Sequence, residues 1–311
     1  MADKKLPSFA KPIAPQTICS RDASAPAFTI ATLVTDTAQY AEMCASFADG
    51  GFTPDTCEYL VIDNTPNLID TARSDSAVSG STPGQTCAYE GLNAALTAAR
   101  APYVILCHQD VRLGEDDRAA LEARITDLHD NHPDWALAGN AGGIAPGELA
   151  LRITDPHGEN QSVGAFPQRV SSLDENFIVV RRAAQIGFSR NLTGFHFYGA
   201  DICLAAETMG WQAYVIDFHL HHLSPGNKNA SFDIAKAAFR TKWSHAFRPR
   251  YVQTTCALIR LDASRLGRVV NPAIEWTLEK LTRRLAWART ALARKAEPKP
   301  AAPHPLTQTT A

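Results

Sequence analysis

His108, Gln109 and Asp110 stand directly after the apolar run Tyr103-Val104-Ile105-Leu106-Cys107. Five apolar residues of mixed β-branched and aromatic type predict a strand buried on both faces. Such a strand has no reason to run into an imidazole, an amide and a carboxylate unless its end opens onto something polar. In open α/β sheets that carboxyl edge is where ligands bind. A carboxylate there is a candidate ligand for a divalent cation, and the cation a candidate clamp for phosphates. The competing reading is that Asp110 caps a following turn or helix. Two further runs, 28–34 and 58–62, also end in polar residues, Thr35-Asp36 and Asp63-Asn64. Strands ending in Asp36, Asp63 and Asp110 set three carboxylates along one sheet edge, which capping of a single turn does not explain.

The elements that must position these groups alternate. Helices are predicted over 37–47, stopped by Gly50-Gly51, and over the Ala/Leu-rich segment 88–99. Alternation of this kind argues for an α/β fold with a mostly parallel, doubly wound sheet flanked by helices. Further along, 116–129 reads as an amphipathic helix and 135–138 as a strand. Gly139, Gly142 and Gly143 read as a turn, since no phosphate-loop lysine accompanies them. A strand at 177–180, a helix at 198–210 and a strand at 211–218 follow. The segment 72–86 is rich in Ser, Gly and Pro, and 144–171 reads as loop. From Arg248 to Lys299 there are 12 Lys/Arg against 4 Asp/Glu, with Trp276, Leu281, Leu285 and Trp287 interleaved. That pattern is either a solvated helix packed on the body or a basic amphipathic helix lying on an anionic membrane surface.

The 311 residues are 45% hydrophobic with a formal net charge of -2, which suits a globular protein and offers no global case for nucleic acid. No apolar run approaches the ~20 residues of a membrane span. The first residues lack the apolar core of a secretory signal. Seven scattered cysteines without a C-x-x-C pair fit a reducing compartment, hence a cytoplasmic protein, peripheral to a membrane at most. The expected organisation is a disordered segment over 1–26, a catalytic domain over 27–255, a basic helical extension over 256–297 and a disordered tail over 298–311.

Three blocks then resemble the GT-A nucleotide-sugar glycosyltransferases of the family-two kind, in the branch related to streptomycin-biosynthesis proteins. The first is Cys107-His108-Gln109-Asp110-Val111. The second is Gly187-Phe188, then Phe195-His196-Phe197-Tyr198-Gly199-Ala200-Asp201-Ile202-Cys203-Leu204, then Gly210. The third is His221-His222-Leu223-Ser224-Pro225-Gly226, followed by Phe239-Arg240-Thr241-Lys242-Trp243. The resemblance covers roughly residues 28 to 255. It implies an inverting, metal-dependent transfer of a sugar from a nucleoside-diphosphate donor of UDP or dTDP type to a hydroxyl acceptor, as in polysaccharide assembly.

Carried over residue by residue, the resemblance makes Asp110 and His221 ligands of a divalent cation, Mn²⁺ or Mg²⁺, with an imidazole tilting the preference towards Mn²⁺. Asp201 matches the general base. Thr35, Asp36, Asp63, Asn93, His108 and Gln109 would meet the nucleotide sugar, and Asp174, His196 and Tyr198 the acceptor. Each has a plainer reading: Asp63 in an Asx-turn, Asn93 as a polar helix residue, His196 and Tyr198 in aromatic packing, Asp201 complementing a helix dipole. Two departures from the family pattern, His108 in place of an acidic residue and Ala200 in place of a glutamate, keep a catalytically weak or inactive nucleotide-sugar-binding protein as the alternative. A nucleotidyltransferase is a further one, although no Gly/Arg/Lys-rich phosphate loop stands near Asp36.

Overall fold

The computed structural model describes residues 16–17, 25–65, 85–226 and 228–296. The first half alternates strand and helix as expected, with two short strands, β1 and β5, that the sequence reading does not predict: β1 (Gln16–Thr17), β2 (Phe28–Val34), α1 (Thr37–Asp49), β3 (Cys57–Asp63), α2 (Ala88–Ala98), β4 (Tyr103–Cys107), β5 (Val111–Leu113), α3 (Arg118–Asn131) and β6 (Trp135–Gly139). Then come β7 (Ala141–Ala145), β8 (Glu148–Asp155), β9 (Gly158–Val163), β10 (Gln168–Val170), β11 (Ser172–Leu173) and β12 (Phe177–Arg181). The rest is α4 (Tyr198–Thr208), β13 (Gln212–Val215), β14 (Leu220–His222), α5 (Ala230–Ala246), β15 (Arg250–Gln253), β16 (Leu258–Leu261) and α6 (Arg265–Ala296).

The main sheet has the order β1-β3-β2-β4-β12-β6-β13-β10. β2, β3, β4, β6 and β13 share one direction, while β1, β10 and β12 run against it. The fold is therefore α/β and doubly wound. One apolar layer, including Leu60, Ile62, Leu92 and Ile202, packs α2 and α4 on one face. The other, including Phe28, Ile30, Phe47 and Ile125, packs α1 and α3 on the opposite face. Strands of β-branched and aromatic residues buried on both sides are what a sheet covered twice requires.

Two loop expectations are corrected. The glycines at 142 and 143 lie within β7, and most of 144–171 is strand, forming a second sheet of order β11-β7-β8-β14-β5 with β9 on β8. Gly142 serves close packing: a Cβ there would stand 2.4 Å from the carbonyl oxygen of Ser172 on the neighbouring strand. The Ser/Gly/Pro-rich stretch falls almost entirely outside the described residues, as do the expected tail and most of the N-terminal segment.

The chain divides into two compact units after Thr241. In the second unit β15 and β16 pair only with each other among the described strands, and they belong with α6. Glu275 accepts from the Arg260 N–H at 2.6 Å and Glu279 from the Leu258 N–H at 2.9 Å.

One buried carboxylate ties the main sheet to the α2–β4 turn. Glu58 on β3 accepts from Thr29 Oγ1 (2.7 Å), Arg100 N (2.9 Å) and Arg100 Nε (2.6 Å). Burial alone would raise its pKa, but the bonds from Arg100 and Thr29 outweigh it and hold the carboxyl below its ordinary 4.5. A lowered acid pKa contributes stability above pH 4.5 that disappears as pH falls through the folded value. Arg100→Met should cost about 1–3 kcal/mol at neutral pH, short of the full buried-pair range because the Arg100 side chain is 47% exposed. Urea unfolding of both proteins at pH 7 and pH 3.5 should show the difference narrowing at the lower pH; a constant difference would rule out the charge as its source.

Candidate active site

The carboxyl ends of β2, β3 and β4 form one rim, and the reversed β12 begins at the same rim. Val34 is in register with Asp63, and Cys107 with Phe177. The segment 174–176 therefore sits beside His108, whose N–H donates to the Asn176 carbonyl at 3.0 Å. β14 pairs with β5, with His222 opposite Val111, and this brings a second imidazole to Asp110.

Asp110 Oδ1 lies 3.8 Å from His108 Nδ1 and 3.5 Å from His222 Nε2. The Asp110 and His222 side chains are 14% and 13% exposed. These three residues can each turn one ligand atom to a common point, all within 4.8 Å of one another. Adjacent strand residues face opposite ways, so His222 joins Asp110 while His221 turns to the other side, its ring 5.1 Å from that of His219.

The charge states follow from surroundings. Burial would raise Asp110, but hydrogen bonding to His222 and the nearby His108 hold it well below the usual carboxylate range. Burial opposes a proton on His222, yet Asp110 outweighs it and the imidazole is raised. Burial pushes His108 down, against the opposing pull of Asp110. The Tyr198 hydroxyl donates to the carbonyl of Glu175 (3.1 Å) and stands 2.7 Å from His108 Nε2. A carbonyl only accepts, so a hydroxyl proton given to it leaves the hydroxyl oxygen able to accept from His108 Nε2–H. In that tautomer Nδ1 keeps its lone pair on the Asp110 side. This is the arrangement that a metal-bound histidine needs, with the second ring nitrogen held by a hydrogen bond. Two imidazoles and a carboxylate so placed can offer ligand atoms to a divalent cation.

Glu175, which sequence reasoning passed over, is the carboxylate next to this group. Its carboxyl lies at the N-terminus of α4, where the N-cap residue Phe197 adopts a left-handed backbone (φ 65°) and makes no side-chain cap of its own. The Gly199 N–H donates to Glu175 Oε1 at 3.3 Å. Position 199 has room for nothing larger, since a Cβ would stand 2.3 Å from the Leu173 carbonyl oxygen and 3.1 Å from Glu175 Cγ. Burial first, then neighbouring Asp174, push the Glu175 carboxyl up to about 8 despite backbone donors from Gly199, Tyr198 and Phe197. The only sequence signal was its place beside Asp174, ahead of a strand whose reversed direction the alternation did not reveal.

Several expected site residues are already spent on the fold. Asp201 is 0% exposed, and its two oxygens accept from Ser189 N (2.7 Å) and Ser189 Oγ (2.6 Å). It is an anchor between α4 and the preceding segment, without a face for an acceptor hydroxyl. The Asn93 amide bonds the Phe188 backbone on both sides, at 2.9 Å each. Gln109 bonds Thr35 N, Asp36 N and Thr35 Oγ1 at 2.8, 3.0 and 2.9 Å, clamping the first rim loop to the third instead of presenting its amide to a ligand. Asp36 caps α1 through Ala38 N and Gln39 N. Asp63 Oδ1 accepts from Thr65 N at 2.8 Å in an Asx-turn. Asp174 is exposed at the rim and accepts from Asn176 N at 3.0 Å. His196 packs against Phe232 and lies 3.4 Å from Ser231 Oγ. The structure thus gathers His108, Asp110, Asp174, Glu175, Tyr198 and His222, and leaves His221, Asn93 and Asp201 serving other contacts.

No family model matches the chain. Among solved structures, it is similar to a mannosyltransferase of Pyrobaculum calidifontis in complex with GDP-Man and Mn²⁺, at 15% identity and a TM-score of 0.45, over 92% of this chain and 80% of that one. It is also similar to residues 1–349 of S. aureus TarS in complex with UDP-GlcNAc, at 13% identity and a TM-score of 0.42, over 66% of this chain and 60% of that one. A protein of Fuscovulum blasticum, described as ATP synthase subunits region ORF 6, is 33% identical over 257 residues, which are 81% of this chain and 96% of the relative. Identity of that degree along almost the whole of the relative means that the chain belongs to the same family as this Fuscovulum blasticum protein.

Proposed function

We propose that the protein is a cytoplasmic GT-A-type glycosyltransferase that inverts the anomeric carbon of a UDP- or dTDP-type sugar and passes the sugar to a hydroxyl acceptor. The observation that carries this reading is a single rim holding the His108–Asp110–His222 group and, beside it, Glu175, whose backbone carbonyl accepts from Tyr198 and whose carboxyl is raised to about 8.

His108, Asp110 and His222 would hold a divalent cation, with Mn²⁺ the better match to two imidazoles. When bound, the ion supplies positive charge against the departing diphosphate. Tyr198 keeps the His108 lone pair directed. Gln109 keeps the Thr35–Asp36 loop against the rim, where Asp63 and Asp36 border the donor site. Glu175 takes the proton of the acceptor hydroxyl as its oxygen attacks the anomeric carbon; the bond from that carbon to the diphosphate breaks, and the electron pair leaves with the diphosphate. A base near 8 is matched to a proton that must move near neutral pH. Asp174, with His196 further out, would border the acceptor.

Isothermal titration with UDP, dTDP and GDP, each with and without Mn²⁺, tests the donor side. Binding of at least one diphosphate that requires the ion is expected, and none binding in either condition would remove the proposal. An inactive binder would show the same ion-dependent binding but would release no free diphosphate from a donor sugar; slow metal-dependent release is expected here.

A further inference from the structure

Beyond that reading, the second unit carries a surface of its own. In α6 the hairpin of β15 and β16 covers only the part from Asn271 to Glu279, through Asn271, Glu275 and Glu279. After Glu279 the side chains from Lys280 to Thr290, and Leu292, are all exposed. Leu281, Leu285 and Leu292 are 53%, 53% and 67% exposed, and Trp287 is 76% exposed. The leucines recur at intervals of four and seven and so share one helix face. From Lys280 to Ala296 the sequence has Lys280, Arg283, Arg284, Arg289, Arg294 and Lys295 and no Asp or Glu. Arg284 and Arg289 fall on either side of the leucine stripe at 100° per residue.

We infer that the second half of α6 lies flat on a bilayer surface containing anionic lipid, its leucine stripe in the acyl boundary and its cations among the headgroup phosphates. Charge selects this occupant. A second copy of the helix would set cations against cations with no acid between Lys280 and Ala296 to offset them. A nucleic acid would meet the cations but leave the leucines in water. No helix of the described residues is long and apolar enough to cross a membrane, which leaves the interfacial mode that suits a moderately apolar, strongly basic helix.

The test is co-sedimentation of the full chain with phosphatidylcholine vesicles, and with vesicles containing roughly one-third phosphatidylglycerol. Binding to the anionic vesicles only is expected, weakened about tenfold or more at about 0.5 M salt, where charge interactions are screened. Two variants read the two components. Arg283→Glu with Arg284→Glu and Arg289→Glu should lose about tenfold or more in affinity. Leu281→Ser with Leu285→Ser and Leu292→Ser should lose binding while keeping every charge. Both alter only exposed positions, and circular dichroism checks that the helix content holds. Equal binding to the two vesicle types, or none, would overturn the inference. So would a concentration-dependent dimer abolished by the serine variant, or tight binding to duplex DNA that the serine variant retains.

Discussion

Asp110→Asn should lose Mn²⁺-dependent nucleotide binding by about 100-fold or more, because it removes the one anionic ligand from a site whose other members are neutral or compete for a proton. The exchange keeps the volume, and Asp110 makes no contact on which the main sheet depends, so thermal unfolding should be almost unchanged. The graded partner is Tyr198→Phe. It deletes the hydroxyl that takes the His108 Nε2 proton at 2.7 Å, freeing the ring to turn or change tautomer. Losing such an outer-shell partner typically costs 10- to 100-fold in metal affinity. His221→Ala supplies the contrast, since its ring faces His219 and metal affinity should stay within about twofold of wild type, a change of ordinary surface size. Isothermal titration with Mn²⁺ and a diphosphate measures all three. If Asp110→Asn binds as tightly as wild type, or if His221→Ala is the damaging variant, the metal group assigned here is wrong.

The contrast between His221 and His222 shows where sequence reading stops. The three-strand rim was legible because its signal is composition: runs such as Tyr103–Cys107 are apolar on both faces, and polar residues at their ends mark the edge. Which of two adjacent histidines faces the rim depends on pairing with β5, and one residue of register inverts the answer. β12 was legible as a strand, but not as one that runs against its neighbours, and only that reversal brings Glu175 to the rim. β7 to β9 were missed because glycines and polar residues at 141–163 look like loop until strand pairing absorbs their backbone groups. Asn93 and Gln109 were read as ligand contacts because an exposed amide and one spent on a distant backbone look alike in sequence. Phe188 is 95 residues away from the first, and Thr35 is 74 from the second. Asp201 reads as a carboxylate near a helix N-terminus, and what it touches, Ser189, depends on the tertiary fold.

Glu175→Gln should lower sugar transfer by about 10²- to 10⁴-fold, the usual worth of a general base, while diphosphate and Mn²⁺ bind as before. Glutamine keeps the length, and its oxygen can still accept from the Gly199 N–H, so the α4 terminus stays covered and unfolding should shift little. The pH profile separates this role from a structural one. A base works deprotonated, so wild-type transfer should climb as pH rises through about 8 and level off above it, and the variant should lose that rise. Asp201→Asn should behave in the opposite manner. It weakens the two bonds to Ser189 in a fully buried place and should cost about 1–3 kcal/mol of stability, while its folded fraction keeps the wild-type pH profile. Donor hydrolysis gives the readout before the acceptor is known, since water then stands where the hydroxyl would. If Asp201→Asn abolishes turnover at unchanged stability while Glu175→Gln turns over normally, the proton goes to Asp201 after all, and the burial of that carboxylate must be relieved when substrates bind.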